Sequence, residues 1–291
     1  MKTVGVIGGS GLYEIEGLTD VESISIDTPW GSPSDDLIVG TLGDTKMVFL
    51  PRHGRGHKLV PSEINFRANI YAMKKMGVEW IVSVSAVGSM KEHIFPGQIV
   101  IPSQFYDHTK IRVSTFFGDG IVAHVSMADP VCALLSDELY NASISSGATV
   151  HKGGTYLCME GPQFSSRAES NIYRSWGVDV IGMTNATEAK LAREAEICYA
   201  SLSLATDYDC WHEQHDDVTV EDLIQTLNSN VQMARNIIKT VVPAISESRE
   251  CPCCNALQNA IITPREAITQ ETKDRLKIII KRYINYQAVR P

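Results

Sequence analysis

The sequence predicts an α/β fold with a largely parallel central sheet, and three observations point to it. Apolar segments of strand length alternate with amphipathic segments of helical period along most of the chain. Gly, Pro or Ser stands at nearly every junction between these segments. The 291 residues, of which 44% are hydrophobic and 21% charged, can bury a large core without help from disulfides. Strands that alternate with helices are typical of a parallel sheet.

Two β-rich runs near the N-terminus each end in a polar loop. Residues 3–7 lead into the turn Gly-Gly-Ser-Gly at residues 8–11, and a second run leads into Arg52 and His53. The glycine turn presents backbone N–H groups that can hold an oxyanion. Because Glu14 stands where a dinucleotide fingerprint requires its third glycine, the turn alone indicates either an anion loop or a merely tight turn.

The loop at residues 52–57 reads Arg-His-Gly-Arg-Gly-His. Bidentate arginine is the usual partner of phosphate, which makes this loop a candidate anion site, with an exposed basic turn as the alternative. His53 and His57 stand four residues apart, as metal-binding pairs do, but no Glu lies between them and the glycines oppose a helix. We therefore predict no metal here.

The middle of the chain contains residues that typically start and end helices. Ser62 is a candidate N-cap for a helix that ends at Gly77, and Ser166 with Glu169 forms a capping box for a helix that ends at Gly177. A short apolar run follows each glycine and predicts a buried strand. The same strand-helix-strand unit therefore occurs twice.

The C-terminal part begins with a predicted strand at residues 199–206 that runs into Asp207 and Asp209. The two-residue period of a strand would turn both carboxylates to one side. An apolar stripe predicts a long helix from Thr219 to Pro243, and a last helix is predicted for residues 270–286.

Composition limits the functional classes. A formal net charge of -8 without a long Lys/Arg run argues against nucleic acid as a partner. No segment reaches the length of a membrane span or of a signal-peptide core, so we expect no membrane partner. We predict one domain over residues 1–291, with a helical extension from about residue 246.

Seven cysteines in such a sequence predict a cytoplasmic protein with reduced thiols. Residues 251–254 read Cys-Pro-Cys-Cys, but a structural zinc needs a second half at matching spacing. Cys158, Cys198 and Cys210 supply none in an obvious knuckle, so no metal is predicted. The alternatives are a surface turn, or a disulfide within the cluster or to Cys198 or Cys210.

Several polar groups follow predicted strands and are expected to meet at one edge of the sheet. Ser85 and Thr184 are hydroxyls at the ends of apolar runs, where ligands of open α/β sheets collect. Singly, each is an ordinary strand-end hydroxyl. Together with the Arg-His loop and the acid pair they fit the phosphorolysis of a nucleoside, in which neutral donors and an arginine hold phosphate and a carboxylic acid supports the departing purine.

The sequence resembles the 5'-methylthioadenosine phosphorylases of the trimeric purine nucleoside phosphorylase superfamily. The resemblance covers residues 1 to about 245. It rests on Gly-Gly-Ser-Gly-Leu-Tyr at 8–13, Arg-His-Gly-Arg-Gly-His at 52–57, Asn-Phe-Arg-Ala-Asn at 65–69, Glu-Gly-Pro-Gln-Phe-Ser-Ser-Arg-Ala-Glu-Ser at 160–170, Gly-Met-Thr at 182–184 and Thr-Asp-Tyr-Asp-Cys-Trp at 206–211.

The resemblance implies a single α/β domain around a mixed, partly barrel-like sheet, a homotrimer, and phosphate as a co-substrate without any cofactor. It implies that phosphate contacts the side chains of Ser10, Arg52, His53, Ser85 and Thr184 and the backbone near Ala86. It places Phe164 on the purine face, Met183 against the ribose, Asp207 at the N7 and 6-amino edge of adenine, and Asp209 in support. It places the 5'-methylthio group among Val220, Leu223 and Ile224, with His57 close and His124 supplied by the neighbouring subunit.

Asp207 is the hypothetical general acid and the residue that discriminates between bases. Relatives that prefer 6-oxopurines carry Asn there, since an amide donates to O6 and an ionised acid repels it. Adenosine, inosine or guanosine as the preferred substrate is the nearest alternative. A binding protein without catalysis and a dinucleotide oxidoreductase are the others, disfavoured by the complete phosphate site and by the missing glycine. After Met183 and Thr184, residues 185–187 lack the proline of many relatives, which puts the start of the next helix in question.

Overall fold

The computed structural model describes residues 1–212 and 220–284, apart from the side chains of residue 10 and of residues 220–229. The strands are β1 (Thr3–Gly8), β2 (Leu18–Ile24), β3 (Leu37–Leu42), β4 (Thr45–Pro51), β5 (Trp80–Ser89), β6 (Ile99–Ile101), β7 (Gln104–Asp107), β8 (Val150–Lys152), β9 (Thr155–Cys158), β10 (Val180–Gly182) and β11 (Cys198–Asp207). The helices are α1 (Phe66–Lys75), α2 (Ala133–Ser145), α3 (Arg167–Ser175), α4 (Asn185–Glu194), α5 (Val220–Ala244), α6 (Gln270–Arg275) and α7 (Lys277–Ile280).

In the described part of the chain, eleven strands form one mixed sheet. β1 lies between β4 and β5 and is parallel to both, and β11 is parallel to β5 on its other edge. β10 runs antiparallel to the far end of β5, and β2, β3 and β4 form an antiparallel meander. The α/β prediction is confirmed, and the antiparallel pairs make the sheet mixed rather than simply parallel.

The sheet is covered on both faces, as a largely parallel sheet requires. In β1, Val4 and Val6 join one apolar cluster, to which α2 and α5 contribute, while Ile7 joins a second one with α1 and α4. This alternation follows from the two-residue period of a strand. Every residue of β1 is buried, which explains the continuous apolar run in its sequence.

The predicted cap of the first helix is wrong. Asn65 caps α1 by accepting a hydrogen bond from a first-turn N–H, whereas Ser62 lies in a preceding 3-10 turn and donates its hydroxyl to Glu160. The extended backbone at Ile64, with ψ of 124°, separates the two segments and prevents the helix from starting earlier. The predicted stop at Gly77 agrees with its left-handed φ of +83°.

The capping box of Ser166 and Glu169 is confirmed at the start of α3. α5 continues one residue past Pro243, its predicted end, to Ala244, while its predicted start at Thr219 lies outside the described residues. The single helix predicted for residues 270–286 is wrong: α6 and α7 are separate and short, because the backbone at Leu276 leaves the helical region.

The C-terminal extension packs onto the main core. Leu257, Ile268, Leu276 and Ile280 are buried in the same apolar cluster as residues of β1 and α1. This shared core supports the single-domain hypothesis for residues 1–291, which stays a prediction. Among the helices of the described residues, none combines the length and apolar content needed to cross a membrane.

Candidate active site

The two N-terminal polar loops meet at the carboxyl edge of the sheet. β1 and β4 are parallel and pair Gly8 with Pro51, so the turn at residues 8–11 and the loop at residues 52–57 leave the sheet side by side. The backbone N–H of Arg52 donates to the Gly8 carbonyl at 2.8 Å. The side chain of Ser10 lies outside the described residues, so its predicted phosphate contact stays a prediction.

Arg52 is buried and already engaged by protein groups. Its Nε donates to Glu188 at 2.5 Å, its Nη1 to the Val84 carbonyl at 2.8 Å and its Nη2 to the Ser83 hydroxyl at 2.6 Å. Burial opposes the charge, but Glu188 raises the pKa of Arg52 above its usual value. Its Nη2 also donates to the second oxygen of Glu188 at 3.2 Å, so within the described residues one Nη1 proton is left for a ligand. Arg52 is therefore not the free bidentate fork that its loop suggested.

His53 offers a neutral ring beside that guanidinium. Its Nδ1 lies 2.8 Å from the Leu59 carbonyl, which requires the proton on Nδ1 and leaves Nε2 as an acceptor. Burial and then the charge of Arg52 lower the pKa of His53 to about 4. The His57 ring stacks on it at 4.3 Å between centroids. A neutral acceptor suits the hydroxyl of a monoprotonated phosphate.

Ser85 presents a buried hydroxyl without a hydrogen-bond partner in the described part of the chain. The Tyr156 hydroxyl is close to it but donates to Asn185 at 3.2 Å. Burying an unpaired hydroxyl is costly, so this oxygen is suited to a ligand. Ala86, the next residue of β5, is exposed, which leaves the strand accessible there.

Thr184 lies next to this hydroxyl. The Tyr156 hydroxyl lies beside both the Ser85 side chain and the Thr184 backbone, so the two residues are close together. Thr184 is also the N-cap of α4, and its hydroxyl donates to Asn185 at 3.1 Å. The N-terminus of a ten-residue helix favours an anion, so Ser85 and the start of α4 form the core of an anion site.

The two acids meet, but not for the predicted reason. The strand ends at Asp207, and Asp209 lies in a 3-10 turn with a left-handed φ of +53°, so strand period does not orient it. Instead the Asp209 N–H donates to Asp207 Oδ1 at 2.7 Å. Gly88 makes room for both, since a Cβ there would lie 3.0 Å from Asp207 Oδ1 and 3.3 Å from Asp209 Cβ.

The pKa values of both carboxyl groups, those of Asp207 and Asp209, are raised above the usual value for aspartate. Burial raises the pKa of Asp207, although hydrogen bonds from Thr206 and the Asp209 backbone oppose it. Burial and the neighbouring Asp207 charge raise the pKa of Asp209, with the Ser170 hydroxyl close by as an opposing influence. Asp209 Oδ2 is buried and makes no hydrogen bond of good geometry with the described residues. Such a pair can hold and release a proton.

A loop between β9 and α3 lies against Met183, the residue predicted to contact the ribose. Met183 contacts Gly161, where a Cβ would lie 2.5 Å from the methionine sulfur. Arg112, missed by the sequence analysis, donates to the backbone carbonyls of Met183 and Glu160 and holds both segments. Phe164 on this loop is 69% exposed, an apolar ring suited to covering a ligand.

The predicted methylthio pocket is less well described. The side chains of Val220, Leu223 and Ile224 lie outside the described residues, although their backbone belongs to α5. His57 stacks on His53 near the anion site. His124 is exposed, and its backbone N–H donates to the Ala260 carbonyl. Its predicted role across a subunit boundary stays a prediction.

Glu188 is the main residue that the sequence analysis missed. Besides Arg52 it accepts hydrogen bonds from Ser83 at 2.7 Å and Tyr199 at 2.9 Å, while being only 1% exposed. It stands one turn after Thr184 in a buried helix, and an acid in that position was the available signal. It anchors Arg52 against the anion site.

Comparisons with known proteins identify the family of this chain. The model of the family described as the phosphorylase superfamily matches residues 3–243. An S-methyl-5'-thioadenosine phosphorylase of Geobacter sulfurreducens is 63% identical over 97% of this chain and 99% of the relative. One of Koribacter versatilis is 54% identical over 98% of this chain and 97% of the relative.

Solved structures give the same result. A methylthioadenosine phosphorylase from an Antarctic soil metagenomic library has a TM-score of 0.92 at 51% identity, covering 96% of this chain and 98% of that one. A mutant adenosine/methylthioadenosine phosphorylase of Schistosoma mansoni in complex with methylthioadenosine has a TM-score of 0.82 at 34% identity, covering 89% and 96%. The chain belongs to the phosphorylase superfamily and, within it, to the S-methyl-5'-thioadenosine phosphorylases.

Proposed function

We propose that this protein cleaves 5'-methylthioadenosine with inorganic phosphate, yielding adenine and 5-methylthioribose 1-phosphate. One observation carries the proposal: the Ser85 hydroxyl on β5, which has no hydrogen-bond partner among the described residues, lies toward the same end of the sheet as Asp207 at the end of β11, whose pKa is raised. In register, Asp207 lies opposite Gly88, three residues and about 10 Å along β5 from Ser85. That separation leaves room for a ribose-linked purine between an anion and an acid.

Phosphate binds at the N-terminus of α4 in this proposal. The hydroxyls of Ser10, Ser85 and Thr184 and the backbone near Ala86 donate to its oxygens, and the remaining Nη1 proton of Arg52 supplies charge. The neutral His53 accepts from its hydroxyl. A phosphate oxygen then bonds to C1' as the bond from C1' to N9 breaks, and the purine takes the bonding electron pair.

The purine leaves more readily when a proton reaches N7. Asp207 in its acid form donates that proton, and Asp209 orients it through its backbone N–H. Met183 lies against the ribose and Phe164 covers the purine face. Each of these roles rests on side chains within the protein and phosphate, so we propose that the reaction uses no cofactor.

We also propose that the protein is a homotrimer. Val122 and Ile262 are 44% and 62% exposed and are joined by a backbone hydrogen bond, and Ile111 and Val113, about ten residues before Val122 in the chain, are also exposed. Exposed apolar side chains on adjacent segments are typical of a protein interface. His124 lies on the same segment, where it can reach a neighbouring subunit and complete the methylthio pocket with Val220, Leu223, Ile224 and His57. The cytoplasmic location stays a prediction.

Purine release from methylthioadenosine, adenosine and inosine, each with and without phosphate, tests the proposed function. We expect phosphate-dependent cleavage led by methylthioadenosine, with adenosine slower, because a buried thioether methyl contributes about 1–3 kcal/mol to discrimination. Inosine as the best substrate would contradict the role of Asp207. Phosphate-independent cleavage would contradict the phosphate site.

Ser85→Ala tests the anion site separately. Loss of a hydrogen bond to a charged ligand is expected to raise KM for phosphate about 10- to 100-fold while KM for the nucleoside changes little. Ser143→Ala is the matched control, because that buried hydroxyl donates to Leu139 within α2. An unchanged KM for phosphate in the Ser85 variant would remove Ser85 from the site.

A further inference from the structure

Four cysteine sulfurs converge at one point of the fold. The Sγ atoms of Cys132, Cys198, Cys251 and Cys253 all lie within 4.8 Å of one another. Cys132 immediately precedes α2, Cys198 begins β11, and Cys251 and Cys253 flank a proline in the loop after α5. Three separate parts of the chain therefore supply the sulfurs, so the spacing of the cysteines in the sequence does not predict this cluster.

The arrangement fits a tetrahedral metal site better than disulfides. A zinc–sulfur bond of about 2.3 Å places the sulfurs of a tetrahedron about 3.8 Å apart. The Cys198 and Cys251 sulfurs are 3.3 Å apart, well beyond the roughly 2.05 Å of a disulfide bond. Two disulfides require only two close pairs, whereas here each sulfur is close to the other three.

The surroundings suit a buried ion. Cys132, Cys198 and Cys253 are at most 2% exposed and sit in an apolar cluster, while the half-buried Cys251 leaves a route for entry. Four thiolates around a divalent cation carry a net negative charge. Arg193, only 7% exposed, is close enough to Cys253 to offset part of it.

The backbone holds two of the donors firmly. The Cys132 N–H donates to the Tyr199 carbonyl at 2.8 Å, and the Cys198 N–H donates to the Glu79 carbonyl at 2.9 Å. Cys254 is different: its sulfur contacts the backbone carbonyls of Arg249 and Cys251 and is not one of the four.

We propose that Cys132, Cys198, Cys251 and Cys253 bind one structural zinc ion. The four thiols release their protons to solvent on binding, and no electrons are transferred. With sulfur in all four positions the ion has no open site for a substrate, so its effect is on stability. It ties the start of α2, the start of β11 and the loop after α5 together and fixes the C-terminal extension to the core.

The test is metal analysis of the full-length chain purified without chelators from zinc-containing medium. Elemental analysis by inductively coupled plasma mass spectrometry should find about one zinc ion per chain. The variants Cys132→Ser and Cys253→Ser should lose this zinc, and Cys254→Ser should keep it. Exchange with Co²⁺ should give the intense sulfur-to-cobalt absorption of a thiolate site. The two zinc-free variants should also melt at least about 5 °C lower than Cys254→Ser while keeping the wild-type KM values.

Three results would overturn the proposal. The first is a zinc-free protein whose denatured, unreduced mass is lower by the hydrogens lost in disulfide formation. The second is a zinc-free protein with all seven thiols reactive after denaturation. The third is zinc retained in full by Cys132→Ser and Cys253→Ser, which would locate the ion elsewhere.

Discussion

Asp207→Asn is expected to lower kcat/KM for 5'-methylthioadenosine by about 100-fold or more, the usual contribution of a general acid. The amide cannot transfer a proton to N7 at any pH, although it can still hydrogen-bond that edge of adenine, its NH₂ group donating to N7 and its oxygen accepting from the 6-amino group. For the same reason the activity on inosine relative to methylthioadenosine should rise, since the amide donates to O6. Steady-state rates on both nucleosides measure the effect.

The pH dependence separates acid catalysis from simple binding. Burial raises the pKa of Asp207, so the reactive acid form is present below that pKa and is lost as pH rises through it. The wild-type rate should therefore fall on the alkaline side, and the variant should lack this limb. Asp137→Asn, on an exposed residue that pairs with Lys152, is the control. Full turnover of methylthioadenosine by the Asp207 variant would refute the assignment.

Local chemistry explains which parts of this fold were predictable. The capping box of Ser166 and Glu169 needs only residues three apart, and it was confirmed. Ser85 and Thr184 were predicted to share an edge because each follows a strand, and both do lie beside the Tyr156 hydroxyl. The reason is wrong for Ser85, which lies inside β5, four residues before the strand ends. Such inferences depend on sequence spacing and on general sheet geometry alone.

Contacts between distant segments explain what was missed. Glu188 becomes important only because Arg52, 136 residues earlier, is folded against it. Cys132 joins the cysteine cluster because α2 starts beside β11, and no spacing rule links the two. The orientation of Asp209 depends on a left-handed turn after the strand, so a rule for regular strands misjudged it.

Arg52→Met is expected to have the largest effect on stability, about 3–5 kcal/mol, because it leaves the Glu188 charge buried without its partner. Arg52 is 3% exposed and Glu188 is 1% exposed, so water cannot replace the lost interaction. Differential scanning calorimetry without phosphate should record a fall in Tm of about 10 °C. Removing phosphate from the buffer keeps ligand binding out of the comparison.

The double variant Arg52→Met/Glu188→Gln identifies the cause. Gln carries no charge, yet its carbonyl oxygen can still accept from the Ser83 and Tyr199 hydroxyls that now donate to Glu188. The double variant should therefore be more stable than Arg52→Met alone, although it has one more substitution. If Arg52→Met is as stable as the wild type and only KM for phosphate rises, Arg52 acts as a ligand group free of Glu188. If both stability and phosphate affinity fall, Arg52 both neutralises the buried Glu188 and contributes to phosphate binding.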